Sequence, residues 1–349
     1  MSGNVYENPL ISIIVPSFNQ GKYIEKTILS VLHQSYQNWE LIIQDACSKD
    51  ETGEICKRYQ QLDSRIRFFQ EKDKGFADAV NKALAKITGS IGAIQSSDDY
   101  YAHQEVFSEV VRHYHEHPEL QLLTSGSRMV DSDYRFLETP EISRDSGFID
   151  PVDAFLLKDH FAQGSTFFKI ARIQEIGGLH ADVDMVADTD LWVRLANWNP
   201  VTSQALLRVE GIWSHLIMHP EQRTADQSRF HLGRSKMYIR YFREQQMNVP
   251  HDIKSIAVTG HLIDTFHYLL FKKKSTEPAE NLFQEHFGYG IPLRWKIKKM
   301  LCRISWLHSF YFRNFKDYDS GAILGNARGA NSLWFEIPTL KSPYVKSNL

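Results

Sequence analysis

Cysteine is scarce in this sequence: three residues among 349, Cys47, Cys56 and Cys302, scattered and odd in number. They form no Cys-x-x-Cys pair, which speaks against a disulfide framework and for a reducing compartment. The Cys/His spacing of a zinc site is missing too. No apolar run approaches the ~20 residues needed to span a bilayer. The opening MSGNVYENPLISIIVPSF has no charged stretch followed by an apolar one, so no signal peptide is read from it. These absences set the expectation of a cytoplasmic protein. No basic stripe accompanies the polar motifs described below, and nucleic acid is excluded as a partner on that ground.

What is present is divided by charge. Residues 1–224 hold 21 Lys+Arg against 32 Asp+Glu; residues 225–349 hold 19 against 10. An acidic front and a basic tail suggest two functional regions. The length suits a catalytic domain of about 200 to 250 residues with an appendage. The division drawn from this is a catalytic domain over 8–224, a helical region over 225–325 and a loosely structured tail over 326–349.

The first hundred residues alternate two kinds of pattern. Ile11–Val15 is a short β-branched run suited to a buried parallel strand, ended by Pro16. Ile24, Ile28, Val31 and Leu32 recur at helical spacing. Further strands are expected at Glu40–Gln44, Ile66–Phe69 and Ile91–Gln95. Helices are expected around Ile55, Tyr59 and Leu62, and around Phe76, Val80, Ala83, Leu84 and Ile87. Such alternation predicts an α/β fold with a mostly parallel sheet and helices on both faces. Later come a helix with Val106, Phe107, Val110 and Tyr114, a strand at Leu120–Thr124 and a helix at Asp188–Trp198. Residues 125–165 are less regular and could line an acceptor cleft. From about Asp226 the chain reads as helices.

In an open α/β sheet, ligands sit beyond the carboxyl ends of the strands. There this sequence places Pro16, Ser17, Phe18, Asn19 and Gln20; Asp45 to Asp50; Glu71 to Gly75; and Ser96, Ser97, Asp98 and Asp99. Any one of these loops is explained by turn and cap chemistry alone. Four together form an acidic edge, which repels itself unless a cation sits there. A divalent ion bound with substrate phosphates is the usual solution. Asp98 and Asp99 are the best ligand candidates, and Mg²⁺ or Mn²⁺ suits oxygen donors.

Three stretches carry a resemblance. ISIIVPSFNQGKYIEKTILSVLHQSYQNWELIIQDACSKDET, EKDKGFADAVNKAL and GAIQSSDDYY, within residues 11–101, resemble the nucleotide-binding half of glycosyltransferase family 2. Thinner similarity continues through TFFKIARIQEIGGL, ADTDLWVRL and HPEQRT. The resemblance implies the GT-A fold, a Rossmann-like sheet, and transfer of a sugar from a nucleotide diphosphate with inversion. It implies that Pro16, Ser17, Phe18 and Asn19 wrap a uridine whose base is held by Asp45. Asp73, Gly75, Asp78 and Asn81 would lie beside nucleotide and donor sugar, with Ser97 near them. Asp98 would contact the metal, joined by Asp99 and by His219. Arg223 would bind the diphosphate, since a guanidinium can grip two phosphate oxygens. Asp188 would be the base that deprotonates the acceptor hydroxyl.

Each assignment has a plainer rival. Asp45 could cap a helix, Asp78 could be an exposed first-turn acid, and His219 and Arg223 could sit on a solvated loop. Asp190 reads as structural, and Cys47 as a small filler. The sequence also departs from the family pattern. Ser96 replaces the first carboxylate of Asp-x-Asp, and Ala187 replaces an acid often found before the base.

In the tail, Pro292 opens a helix with an apolar stripe of Leu293, Ile297, Met300, Leu301, Ile304 and Leu307. Arg294, Lys298, Lys299 and Arg303 lie largely off it. Packing on the catalytic domain is the preferred reading; peripheral contact with an anionic membrane face is the other. No QxxRW pattern occurs, so a single-sugar transferase in surface polysaccharide or glycan assembly is expected, acting on a glycan or lipid-linked acceptor. A nucleotidyltransferase and a degenerate sugar-nucleotide-binding scaffold are the rivals.

Overall fold

The run ISIIVPS forms strand β1 (Ile11–Ser17), buried almost throughout. Ile11, Ile13 and Val15 pack to one face and Ile14 to the other, the period of two of a strand covered on both sides. The computed structural model describes residues 8–137, 146–157, 161–198, 200–222 and 227–303. Three helical crossovers follow β1. Helix α1 (Ile24–Leu32) leads to β2 (Trp39–Asp45), α2 (Thr52–Leu62) to β3 (Ile66–Gln70) and α3 (Phe76–Leu84) to β4 (Ile91–Ile94). These strands lie parallel in the order β3, β2, β1, β4.

β1 runs through Pro16 to Ser17, two residues beyond Val15, the expected last residue of the strand. Ser17 O accepts from Ala46 N, so Ser17 faces β2 and Pro16 faces the opposite side. There the pairing with β4 has already ended at Ile14, and the missing N–H of Pro16 costs no ladder bond.

Beyond β4 come β5 (Tyr100–Tyr101), α4 (Val106–Glu116), β6 (Leu122–Asp131), β7 (Gly147–Phe148), α5 (Pro151–Phe155), β8 (Thr166–Lys169), α6 (Ile170–Glu175), α7 (Ala187–Asn197) and β9 (Leu206–Met218). They extend the sheet in the order β4, β8, β6, β9, β5, with β7 on β9. The long pairings are parallel, β6 with β9 included; β8, β5 and β7 join antiparallel through two or three residues each. The sequence reading omits β9. Its pairing with β6 shifts register around Gly126, and Gly211 on β9 has φ +102°, so a bulge breaks the alternation that would reveal it.

Helices cover both faces. α1, α2 and α4 share one apolar core with Ile13 and Val15. α3 and α7 share the other with Ile14, Ile42 and the tail helices α8 (Gln227–Arg243), α9 (His251–Phe271), α10 (Glu277–Phe287) and α11 (Leu293–Leu301). Each fully buried Leu, Ile or Val in these layers contributes about 1.5–3 kcal/mol. The expected tail at 326–349 lies outside the described residues. Among those described, no helix is long and apolar enough to cross a membrane.

Candidate active site

The carboxyl ends of β1, β2 and β4, the loop after β3 and the start of α7 open on one cleft of about 710 Å³. Pro16, Ser17 and Phe18 line it from β1, Ala46 from β2, Asp73 and Gly75 from the loop before α3, and Ser96 to Asp99 from β4. Asp188 lines it from α7. Phe18 stands 56% exposed at this wall, an aromatic face open to a ligand. Ser17 is 5% exposed, and its hydroxyl finds no hydrogen-bond partner among the described residues. A buried polar group left unsatisfied by protein suits a site whose ligand is polar.

Two loops form this end of the cleft as one unit. Asn19, at φ +54°, donates its N–H to Ser48 Oγ at 2.7 Å and accepts Lys49 N–H at 3.0 Å. Gln20 N donates to Thr52 Oγ1, and Gly21 N to Asp50. Asp45 underlies them, fully buried. It accepts Ser48 N–H at 2.8 Å, the Ser48 hydroxyl, and Gln70 Nε2 at 3.2 Å. Neither Asp45 nor Asn19 is among the residues lining the cleft; their bonds hold the wall in which Ala46 and Phe18 stand.

Beside α3 the expected residues divide. Asp73 accepts Gly75 N–H at 2.8 Å, and Gly75 has φ +113°, a conformation glycine adopts without strain. Asp78 and Asn81 do not line the cleft. Asp78 accepts Lys74 N–H at 2.9 Å and pairs with Lys82 at 3.2 Å, which pulls its carboxyl below the usual range. Asn81 exchanges two 2.9 Å bonds with the backbone of Leu179, tying α3 to the approach to α7.

At the end of β4 the two acids take different partners. Asp98 Oδ2 lies 2.9 Å from Nε2 of His219, and the His219 ring stacks on Tyr23 at 4.7 Å. Asp99 accepts Ile217 N–H at 2.9 Å, and its backbone carbonyl accepts from Thr27, so it anchors β9 to the site. Burial and the neighbouring Asp98 hold the Asp99 carboxyl well above the usual carboxylate range. His219 is buried behind Asp98 and is not among the lining residues.

Among the described residues no group of three or more His, Cys, Asp or Glu could hold a metal ion. The Asp98–His219 pair offers one carboxylate oxygen and one imidazole nitrogen, a donor set that would suit a divalent cation. The remaining ligands would have to come from substrate phosphate and water. Ser96, in place of the first acid, accepts Gln163 Nε2 at 3.1 Å and belongs to the cleft wall.

α7 aims Asp188 into the cleft because the next helical face is locked. Asp190 is fully buried and accepts Arg194 Nε at 2.8 Å and Tyr241 OH at 2.9 Å, with His180 Nδ1 at 3.1 Å. Arg194 spends its other N–H groups on the carbonyls of Ile176 and Gly178. Burial opposes the charge of Asp190, but His180 and Arg194 prevail and hold its carboxyl below the usual range. Residues two apart on a helix point to nearly opposite sides, so fixing Asp190 inward turns Asp188 outward. Ala187 is 1% exposed, a core position that would not take the acid expected there.

Arg223 lies outside the described residues. The sequence reading did not single out Met129, Phe161, Gln163, Met185, Leu216 and Phe230, which also line the cleft. The first three fall in the irregular stretch 125–165, the others near β9 and the helices; only the folded sheet brings them together.

Residues 12–171 match the profile of the family described as Glycosyl transferase family 2. The chain is 47% identical over 92 residues to TuaG of Bacillus subtilis (strain 168), a glycosyltransferase provisionally assigned to teichuronic acid biosynthesis; the match covers 26% of this chain and 36% of that one. It is 40% identical over 91 residues to the glycosyltransferase GlyG of Streptococcus pneumoniae serotype 4, covering 26% of this chain and 30% of the other. These alignments thus span about a third of each relative. Among solved structures, S. aureus TarS 1-349 in complex with UDP-GlcNAc superposes with TM-score 0.62 at 15% identity, over 92% of both chains. The mannosyltransferase PcManGT of Pyrobaculum calidifontis, in complex with GDP-Man and Mn²⁺, gives 0.58 at 17% identity, over 94% of this chain and 88% of the other. At such identities the likeness is one of fold, and the fold is GT-A.

Proposed function

We propose, from the match of residues 12–171 to the profile of glycosyl transferase family 2, that this chain moves a sugar from a nucleotide diphosphate, UDP in the first instance, to an acceptor hydroxyl. One observation carries the reading. Asp98, at the end of β4, and Asp188, at the start of α7, line the same cleft as the loops after β1 and before α3. An acid for the leaving diphosphate's cation and a base for the acceptor share one chamber.

The parts would work as follows. Phe18 offers an aromatic face to the base and the Ser17 hydroxyl a polar contact, while Asp45 keeps the Asn19–Ser48 wall in place. Contact of the base with Asp45 itself would require Ser48 to yield its bonds. Gly75 and Asp73 border the donor sugar. Asp98 and His219 would hold Mn²⁺ or Mg²⁺, which would neutralise the diphosphate as it leaves. Arg223 is assigned to the same diphosphate. The Asp188 carboxylate takes the proton of the acceptor hydroxyl as its oxygen attacks the anomeric carbon. Attack from the face opposite the diphosphate inverts that centre. Met129, Phe161 and Gln163 border the remaining room for a glycan or lipid-linked acceptor. A place in surface polysaccharide assembly agrees with the naming of TuaG.

Asp188→Asn tests the assignment. UDP binding should stay within about twofold, while transfer falls about 10²- to 10⁴-fold, the usual worth of a general base. Normal turnover in that variant would remove Asp188 from the mechanism.

A further inference from the structure

The last described helix turns the expected packing around. Its apolar stripe was the face assigned to the catalytic domain, yet α11 docks through other residues. Trp295 stacks on Phe266 at 4.9 Å and meets Phe283 at 5.2 Å, and Cys302 is buried on the same side. Lys299 pairs with Glu280 at 2.5 Å, and Lys298 reaches His267 at 3.4 Å, so those two cations serve the packed side. Leu293, Ile297 and Met300 are left outward at 72%, 44% and 59% exposure. They recur at i, i+4 and i+7, which makes them one continuous stripe. At about 100° per residue, Lys296 and Arg303 fall along one border of that stripe and Arg294 along the other. All three are exposed, and no acid occurs between Gly288 and Arg303. Tyr289, 60% exposed, precedes the helix.

We propose that this face of α11 rests on an anionic lipid surface. Leu293, Ile297 and Met300 enter the headgroup boundary, and Arg294, Lys296 and Arg303 meet lipid phosphates at its rim. A helix packed by one side and apolar with a cationic border on the other has the chemistry of an interfacial anchor. Charge chooses the occupant: a neutral apolar partner would leave three cations without use, while an anionic membrane engages both stripe and border.

The test is sedimentation of the full chain with vesicles of phosphatidylcholine, alone or mixed with phosphatidylglycerol. The bound fraction should rise roughly tenfold or more on the anionic vesicles and fall again in high salt. Leu293→Ser, Ile297→Ser and Met300→Ser combined should abolish binding. Lys296→Glu with Arg303→Glu should abolish it independently, which keeps the test open should the triple variant fold poorly. Equal binding to both vesicle types, or binding unchanged in the charge variant, overturns the proposal. So does a wild-type dimer that the triple variant splits without any vesicle binding, because the face would then belong to a second copy. Binding seen only after removal of residues 304–349 would assign it to that segment.

Discussion

Asp188 and Asp190 show how differently two carboxylates in one helical turn are used. Asp188 faces the cleft; Asp190 is enclosed by Arg194, His180 and Tyr241. Breaking a buried pair by removing one member costs about 3–5 kcal/mol, so Asp190→Ala should lower stability by that order, whereas Asp188→Asn should leave it nearly unchanged. Denaturant unfolding of the two variants checks the contrast. The folded carboxyl of Asp190 is held below its ordinary value of 3.8, so its contribution is complete above that value and is lost as pH falls through the lowered one. Stability measured below about pH 4 should therefore drop more steeply in the wild type than in Asp190→Asn. These roles were partly legible, because the spacing of two already separates the faces. The orientation of Asp45 was not. Whether its carboxylate meets a ligand or the protein depends on Ser48 and Gln70, and Gln70 belongs to a different strand.

At the scale of elements, α8 and α9 carry an acid-sensitive layer. Burial pulls His231 and His267 down to about 3 and lowers His261 well below its usual value. The unfolded chain takes up these three protons near pH 6.5 while the folded chain does not, so stability is full above that pH and is lost on acidification. Asp264 works the other way: burial raises its carboxyl to about 7, and the folded chain gains one proton as pH falls through that value. Three sites against one leave a net loss in acid. His231→Phe, which keeps a ring against Tyr268, should flatten the dependence below pH 6.5 by a slope that approaches about 1.4 kcal/mol per unit toward pH 5, read from denaturant unfolding. A second element-level test sits in β4. A Cβ at Gly92 would lie 2.3 Å from the Phe168 ring on β8, so Gly92→Ala should cost about 1–3 kcal/mol by overpacking. The strands β1 to β4 were legible because two-sided burial makes them apolar runs. β9 was not, because the bulge around Gly211 interrupts its period and half its length is partly exposed. The length of β6 was missed for a related reason: Thr124, Ser125 and Ser127 are buried polar residues satisfied by hydroxyl pairs and carbonyls that no local pattern announces.

Across the whole molecule, the acidic front supplies the acids that line the cleft and the basic tail supplies helices to one of the apolar cores. The cleft gathers residues from Pro16 to Phe230, and its acids come from the front. The tail helices α8 and α9 close one apolar core beneath it, and α11 adds the outward cationic border. The strand-end loops announced the cleft, since the fold rule for open sheets needs only their position in the chain. Its far wall required the register of β6 with β9, which sequence does not encode locally. The central claim is that this cleft takes a nucleotide diphosphate through Asp98 and a divalent ion. The direct measurement is the unfolding midpoint with UDP and Mn²⁺, in the wild type and in Asp98→Ala. A ligand at a hundred times its Kd adds about 2.7 kcal/mol to the native state, so the wild-type midpoint should rise by several degrees only when both are present, and the variant should show no rise. Equal rises in the two proteins, or none in the wild type at saturating UDP and Mn²⁺, would contradict it.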